Sequence, residues 1–202
     1  WDEEAAEKGG YETFMLKEIH EQPDAVAETI GDRLRRGQLC LEGLGMDDEE
    51  LRELSRIVIL SAGTSYHAAL AGSVYFAQLA GRPAVPVLAP QFIAQYAPAV
   101  NHEDVGIFVS QSGETKDVLN ALEAAEKRNM ACFGLANVVG STLTRATSFS
   151  LPLCCGYEIS VPATKTFTNQ VITFLFLASR MAGRDTRELE RIPELMEATM
   201  AA

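Results

Sequence analysis

The sequence offers little with which to hold a metal ion. Its four cysteines, Cys40, Cys132, Cys154 and Cys155, contain no Cys-x-x-Cys pair, and His20, His67 and His102 stand at no zinc-like spacing. No metal ion is expected. Most of the cysteines sit in apolar stretches and read as reduced core thiols, which fits a cytoplasmic protein. Positive charge is scarce as well. Seventeen basic against 28 acidic residues leave a net charge of -11, which excludes a nucleic-acid partner that would need a basic stripe. Long apolar runs are missing: the most apolar, Val171 to Ala178, falls far short of the roughly 20 residues of a membrane span, so no membrane partner is expected. Phosphate motifs fail too. Gly63 lacks the other glycines of a dinucleotide fingerprint, and no G-x-x-x-x-G-K loop occurs. The acidic opening Trp1-Asp2-Glu3-Glu4 is unlike a signal peptide and reads as a cut within a longer protein.

What remains is an ordinary globular composition, 47% hydrophobic and 22% charged. Residues 1–55 are polar and helical in character: Phe14, Met15, Ile19, Val26, Ile30 and Leu34 recur at helical spacing, and Pro23 suits a first turn. After a break at Gly43 to Asp48, Asp47-Asp48-Glu49-Glu50 opens a short helix, its acids favoured by the N-terminal dipole. At Arg56 the pattern changes. Ile57-Val58-Ile59-Leu60 is a continuous aliphatic run, the mark of a strand buried on both faces. Further strands are predicted near Ala84–Leu88, Val105–Ser110, Ala131–Ala136 and Ser148–Leu153. Helices or helical turns between them cover about Tyr66–Ala80, Gln91–Ala97, Thr115–Arg128 and Ser141–Ala146. A long helix over about Ala163–Met181 closes the unit, and Thr186–Met200 reads as one more amphipathic helix. This alternation predicts an α/β fold: a three-layer α/β/α sandwich with about five parallel strands, preceded by N-terminal helices. The expected division is residues 1–55 as linker and helices, 56–185 as the ligand-binding domain, and 186–202 as a C-terminal connecting helix.

In such sheets ligands bind beyond the carboxyl ends of the strands. Two predicted strands end there in hydroxyl-rich loops that open helices: Ser61-Ala62-Gly63-Thr64-Ser65 and Ser110-Gln111-Ser112-Gly113-Glu114-Thr115. Hydroxyls, backbone N–H groups and a glycine at a helix N-terminus suit an anion. A phosphate could accept from Ser110, Ser112 and Thr115 without any lysine, which an acidic chain requires. The same residues would also serve as simple helix caps, and the residues alone leave both readings open. The third segment, Glu158 to Lys165, offers a carboxylate and an ammonium for acid–base work. For Lys165 a solvated position beside a helix cap is the simpler reading, and Glu158 is undecided. His67, one turn into a helix among alanines, reads as a packed or surface residue.

Lys8-Gly9-Gly10-Tyr11 and Phe14-Met15-Leu16-Lys17-Glu18-Ile19-His20-Glu21-Gln22-Pro23 resemble the segment that joins the glutaminase and isomerase parts in the glutamine–fructose-6-phosphate aminotransferase family, the glucosamine-6-phosphate synthases. Gly63-Thr64-Ser65-Tyr66, Ser110 to Thr115 and Ala163-Thr164-Lys165-Thr166-Phe167 are similar to successive signatures of that family's sugar isomerase (SIS) domain. The resemblance runs from about residue 1 to 185. It implies the first SIS half, which supplies most of a fructose 6-phosphate pocket. Thr64, Ser65, Ser110, Gln111, Ser112 and Thr115 would be the sugar-phosphate ligands, Ser110, Ser112 and Thr115 chiefly holding the phosphate and Thr64 and Gln111 lying nearer the sugar, and Val161 would give a backbone contact. Where the family's pattern after that valine is Ala-Ser-Thr-Lys, this chain has Pro162-Ala163-Thr164-Lys165, so a serine hydroxyl is missing at Ala163.

The resemblance also implies what is carried elsewhere. The glutaminase cysteine, the glutamate that moves a proton between C1 and C2, and the catalytic lysines belong to a glutaminase domain, a second SIS half and a C-terminal tail. No catalytic residue is therefore assigned here, Glu158 and Lys165 being the weak candidates; the resemblance implies no metal or organic cofactor, and a homodimer is expected. Two rivals stand beside this reading: a free-standing SIS module that senses a phosphosugar, and a single-domain sugar-phosphate isomerase. The first would carry an effector domain, and the second would need its acid–base residues within this chain.

Overall fold

The computed structural model describes residues 8–35, 38–39, 47–54 and 56–201. Cys40, and residues 43–46 of the break read before the short acidic helix, lie outside the described residues. Apart from a short antiparallel pair, Leu34–Arg35 with Gln38–Leu39, five strands form the main sheet: β1 (Arg56–Ser61), β2 (Ala84–Leu88), β3 (Asp104–Ser110), β4 (Ala131–Ala136) and β5 (Phe149–Pro152). All pair in parallel, in the order β2-β1-β3-β4-β5. β3 lies at the centre and every one of its residues is buried, as a strand covered on both faces must be. Pro86 and Pro152 fall on the two edge strands, where a missing N–H need not break a ladder.

The helices are α1 (Phe14–His20), α2 (Gln22–Arg33), α3 (Asp48–Glu53), α4 (Thr64–Ala80), α5 (Ala89–Gln95), α6 (Lys116–Glu126), α7 (Thr142–Ala146), α8 (Lys165–Met181) and α9 (Ile192–Met200). Because side chains alternate along a strand, β1 feeds two cores. Ile57 and Ile59 pack beneath α4 and α8, with Ile107, Phe133 and Phe174. Val58 and Leu60 pack beneath α5, α6 and α7, with Phe92, Phe108 and Leu143. The result is the three-layer α/β/α sandwich that the alternation predicts.

Local signals set the helix starts. Thr13 caps α1 by accepting from Leu16 N at 3.1 Å, Pro23 sits in the first turn of α2, and Asp47 with Glu50 forms a reciprocal capping box on α3. α2 is joined to the body by a buried polar seam. Thr29 donates to the Leu153 carbonyl at 2.7 Å, Asn169 donates to Thr29 at 2.6 Å, and Arg33 reaches Thr173 at 3.0 Å and the Pro152 carbonyl. The tail departs from expectation. Thr186–Met200 is not one helix but a 3-10 turn (Arg187–Arg191) followed by α9. Pro193 has no N–H for the Leu189 carbonyl, so an α-helix cannot run through it.

α4 and α8 pack tightly against each other at Gly72. A Cβ there would stand 2.7 Å from Cγ of Phe174, whose ring is itself held edge-on to Phe76 with centroids 6.3 Å apart. Alanine at this position would gain about 1 kcal/mol of helix propensity but would force a methyl into a filled core, at a cost of about 1–3 kcal/mol. Both rings are fully buried, so the steric term is expected to win. Gly72→Ala should lower the urea midpoint at unchanged slope. A raised midpoint would mean that Phe174 yields without cost.

Candidate functional site

The strand order fixes where to look. From β1 the chain crosses through α4 to β2 on one side, then returns past β1 to β3 on the other. That reversal between β1 and β3 is a topological switch point, and open α/β sheets take ligands in the crevice beyond the carboxyl ends of the strands at such a point. Leu60 lies opposite Phe108, so the Ser61–Ser65 and Ser110–Thr115 loops leave the sheet side by side.

Neither loop spends its hydroxyls on capping its own helix. The N-cap of α4 is Gly63. Thr64 is the first helical residue and exposed, and Ser65 follows half-buried. The N-cap of α6 is Thr115, yet its side chain makes no cap bond. Its hydroxyl turns instead to Ser110 Oγ, at 2.8 Å. At this edge neither helix start is capped by a side chain, although in α4 the Tyr66 N–H turns back to the Gly63 carbonyl at 3.1 Å. Two positive helix ends meet there.

The Ser110–Thr115 loop is braced from within. Ser110 is buried and its oxygen accepts from Gly113 N at 3.0 Å, while Ser112 Oγ accepts from Glu114 N at 3.1 Å and keeps its proton to donate. Gly113 has φ +67°, and a Cβ on it would stand 2.0 Å from Ser141 Oγ. No other residue fits. From the neighbouring segment, Leu143 N donates to the Gly113 carbonyl at 3.0 Å and Thr142 N to Glu114 Oε1 at 2.7 Å. The bond from Thr142 N, then the Thr142 hydroxyl and the nearby Arg145 charge, hold the Glu114 carboxyl below its usual range. A fixed negative charge thus borders the loop, directed at the start of α7.

Sequence reasoning missed Asn137, the first residue after β4. Its N–H donates to the Gln111 carbonyl at 3.0 Å. Its side chain donates to the Gly156 carbonyl at 2.7 Å and accepts from Cys155 N at 3.2 Å. It ties the hydroxyl loop to the third segment. A polar residue directly after a buried strand, at the same carboxyl edge, was the available signal.

Within the third segment, Glu158 is wholly committed to the start of α8. Its Oε1 accepts from Thr164 N at 2.8 Å and Thr166 N at 3.1 Å, and its Oε2 accepts from the Thr166 hydroxyl. The solvated Lys165 expected from sequence is corrected by the structure. Lys165 is 5% exposed, and its Nζ lies 2.7 Å from Glu21 Oε2 and 2.7 Å from the Tyr157 carbonyl. The reason is α1, which lies over this segment and brings Glu21 to it. Val161 is fully exposed. His67 is exposed and edge-on to Tyr66, and His20 stacks on Tyr11. Burial pushes the Cys132 and Cys155 thiols up to about 12, which leaves them inert at neutral pH. Among the described residues no group of His, Cys, Asp and Glu is arranged to hold a metal ion.

Known proteins are similar to this chain. The family model described as SIS domain matches residues 50–180. The glutamine–fructose-6-phosphate aminotransferase (isomerizing) of Methanothermobacter thermautotrophicus is 43% identical over 198 residues, covering 98% of this chain and 32% of that protein. Its namesake from Methanosarcina mazei is 43% identical over 185 residues, 90% of this chain and 30% of its own length. Among solved structures, the C-terminal domain of glucosamine-fructose-6-phosphate aminotransferase from Francisella tularensis is similar with a TM-score of 0.81 at 30% identity, over 96% of this chain and 56% of that one. The chain spans about a third of the length of the curated relatives it matches.

Asn137 makes a prediction possible without any ligand. Asn137→Ala removes the acceptor of Cys155 N and the donor to Gly156, at a cost of about 1–3 kcal/mol. Amide exchange at Cys155 should rise more than exchange in the central strands. Uniform exchange across both would show that the residue does not link the loops.

Proposed function

The chain belongs to the SIS domain family, and on that premise we propose that it binds fructose 6-phosphate in the crevice between β1 and β3. In this reading it is the first SIS half of a glutamine–fructose-6-phosphate aminotransferase, which makes glucosamine 6-phosphate from fructose 6-phosphate and glutamine-derived ammonia. Residues 1–55 join it to a glutaminase domain, 56–185 bind the sugar phosphate, and 186–202 lead toward a second SIS half. The full-length protein is a cytoplasmic homodimer. Among the described residues no helix is long and apolar enough to cross a membrane.

The observation that carries the proposal is the Ser110–Thr115 pair. A cap residue that turns away from its own helix leaves first-turn N–H groups for an outside acceptor, beside hydroxyls held in place by the loop. Ser112, Thr115 and the α6 N-terminus hold the phosphate, with Ser110 supporting them from beneath. Thr64, Ser65 and Gln111 face the sugar, and the Val161 backbone closes the far side. Acid–base chemistry comes from elsewhere, because Glu158 is occupied as a cap and Lys165 as the buried partner of Glu21.

Hydrogen bonds to a charged acceptor contribute about 1.5–3 kcal/mol each, so Ser112→Ala and Thr115→Ala should each weaken fructose 6-phosphate binding by roughly 10-fold to 100-fold. Fructose without phosphate should bind far more weakly than its phosphate ester. Calorimetry decides, and normal affinity in both variants would move the phosphate elsewhere. A separate assay bears on the division of labour. The purified chain is expected to make no glucosamine 6-phosphate from fructose 6-phosphate and ammonia. Sustained turnover above a contamination control would place the acid–base residues inside it.

A further inference from the structure

We propose that Glu18 is a positioning residue for the sugar: from a helix outside the matched domain, it fixes the backbone that forms the third wall of the crevice. The inference rests on the sugar-phosphate reading above and adds to it a residue and a control element.

Glu18 lies in α1, ahead of residues 50–180, yet it is only 2% exposed. A single oxygen, Oε1, accepts from Ile159 N at 2.6 Å and from Ser160 N at 3.0 Å. The other, Oε2, is buried with no hydrogen-bond partner. A buried carboxylate oxygen left unmatched costs stability. The residues Glu18 holds lead directly into Val161, whose side chain is fully exposed and contributes nothing to either core. What Glu18 fixes is therefore an outward-facing stretch of backbone, not packing.

A second tie from α1 grips the ends of the same segment. Glu21, the C-cap of α1, pairs with Lys165 at 2.7 Å, and Lys165 in turn donates to the Tyr157 carbonyl at 2.7 Å. Beyond Tyr157, the Gly156 carbonyl and Cys155 N are held by Asn137, which also bonds the Gln111 carbonyl of the hydroxyl loop. A continuous set of hydrogen bonds thus runs from α1 through residues 155–160 to the proposed phosphate loop. The phosphate loop is braced independently by Ser141 to Leu143, so loss of the α1 tie should loosen the sugar side and spare the phosphate side.

The test compares Glu18→Ala and Glu18→Gln in the 202-residue chain, with fructose 6-phosphate and inorganic phosphate as probes. Glu18→Ala should raise amide exchange at Ile159 and Ser160 and weaken fructose 6-phosphate by roughly tenfold, about the worth of one hydrogen bond, while inorganic phosphate binding holds. Glu18→Gln should restore both readouts, since one amide oxygen can accept both N–H groups. Unchanged exchange, or an equal loss for both probes in a folded protein, overturns the inference. If Glu18→Ala does not fold, Glu21→Gln, which loosens the other tie at a half-buried position, must lower the preference for fructose 6-phosphate over phosphate or the inference falls. If the wild-type chain binds neither probe, the sugar-phosphate reading itself fails. If it binds both and only the Glu18 variants behave as wild type, that reading stands and this one does not.

Discussion

The ladder between β1 and β3 is the contact on which the rest depends. It joins strands that are not consecutive, because the chain visits β2 between them. Parallel pairing brings both carboxyl ends to one edge, and each strand must there give way to a helix that covers a different face of the sheet. α4 goes to one layer and α6 to the other. The loops that begin these helices therefore diverge from a shared edge, and the gap between them is a consequence of connectivity before any side chain is chosen. Side chains decide only what the gap attracts.

What it attracts is constrained by charge. A chain with 28 acidic and 17 basic residues repels anions at long range, and Glu114 adds a local negative charge at the loop itself. For the phosphate ligand proposed above, attraction has to come from short-range, oriented, neutral donors, whose field falls off within a turn of helix. Glu114 is compatible with this because its carboxylate is bonded to the start of α7, so its charge helps to fix the loop's shape. Binding of this kind favours a ligand whose oxygens match the donors in position over one that is merely anionic.

Periodicity carried most of the fold. The aliphatic run at Ile57–Leu60 and the loop at Ser110–Thr115 stand where hydrophobic patterning and strand-end reasoning put them, and Thr64 and Ser65 fall in the first turn of the helix they were expected to open, since burial on both faces and hydroxyls at a helix start are local properties. Contacts between distant segments left no such trace. Glu18 and Glu21 look like two acids on a polar helix, and nothing within thirty residues says that they meet Ile159, Ser160 and Lys165. Lys165 was misread for the same reason: its partner lies 144 positions away. The break in the tail was visible in Pro193 but lost to an amphipathic pattern that continues across it. Asn137 is intermediate, local in position and long-range in effect.

The fit of Gly113 against Ser141 has a consequence for anyone who would reshape the crevice. The loop's left-handed turn and the serine that fills the space beside it occupy one volume, contributed by segments 28 residues apart. Neither can be enlarged alone. The hydroxyl loop cannot be edited as an independent cassette. The turn before α7 must be rebuilt in the same step, so the unit of redesign is a pair of loops.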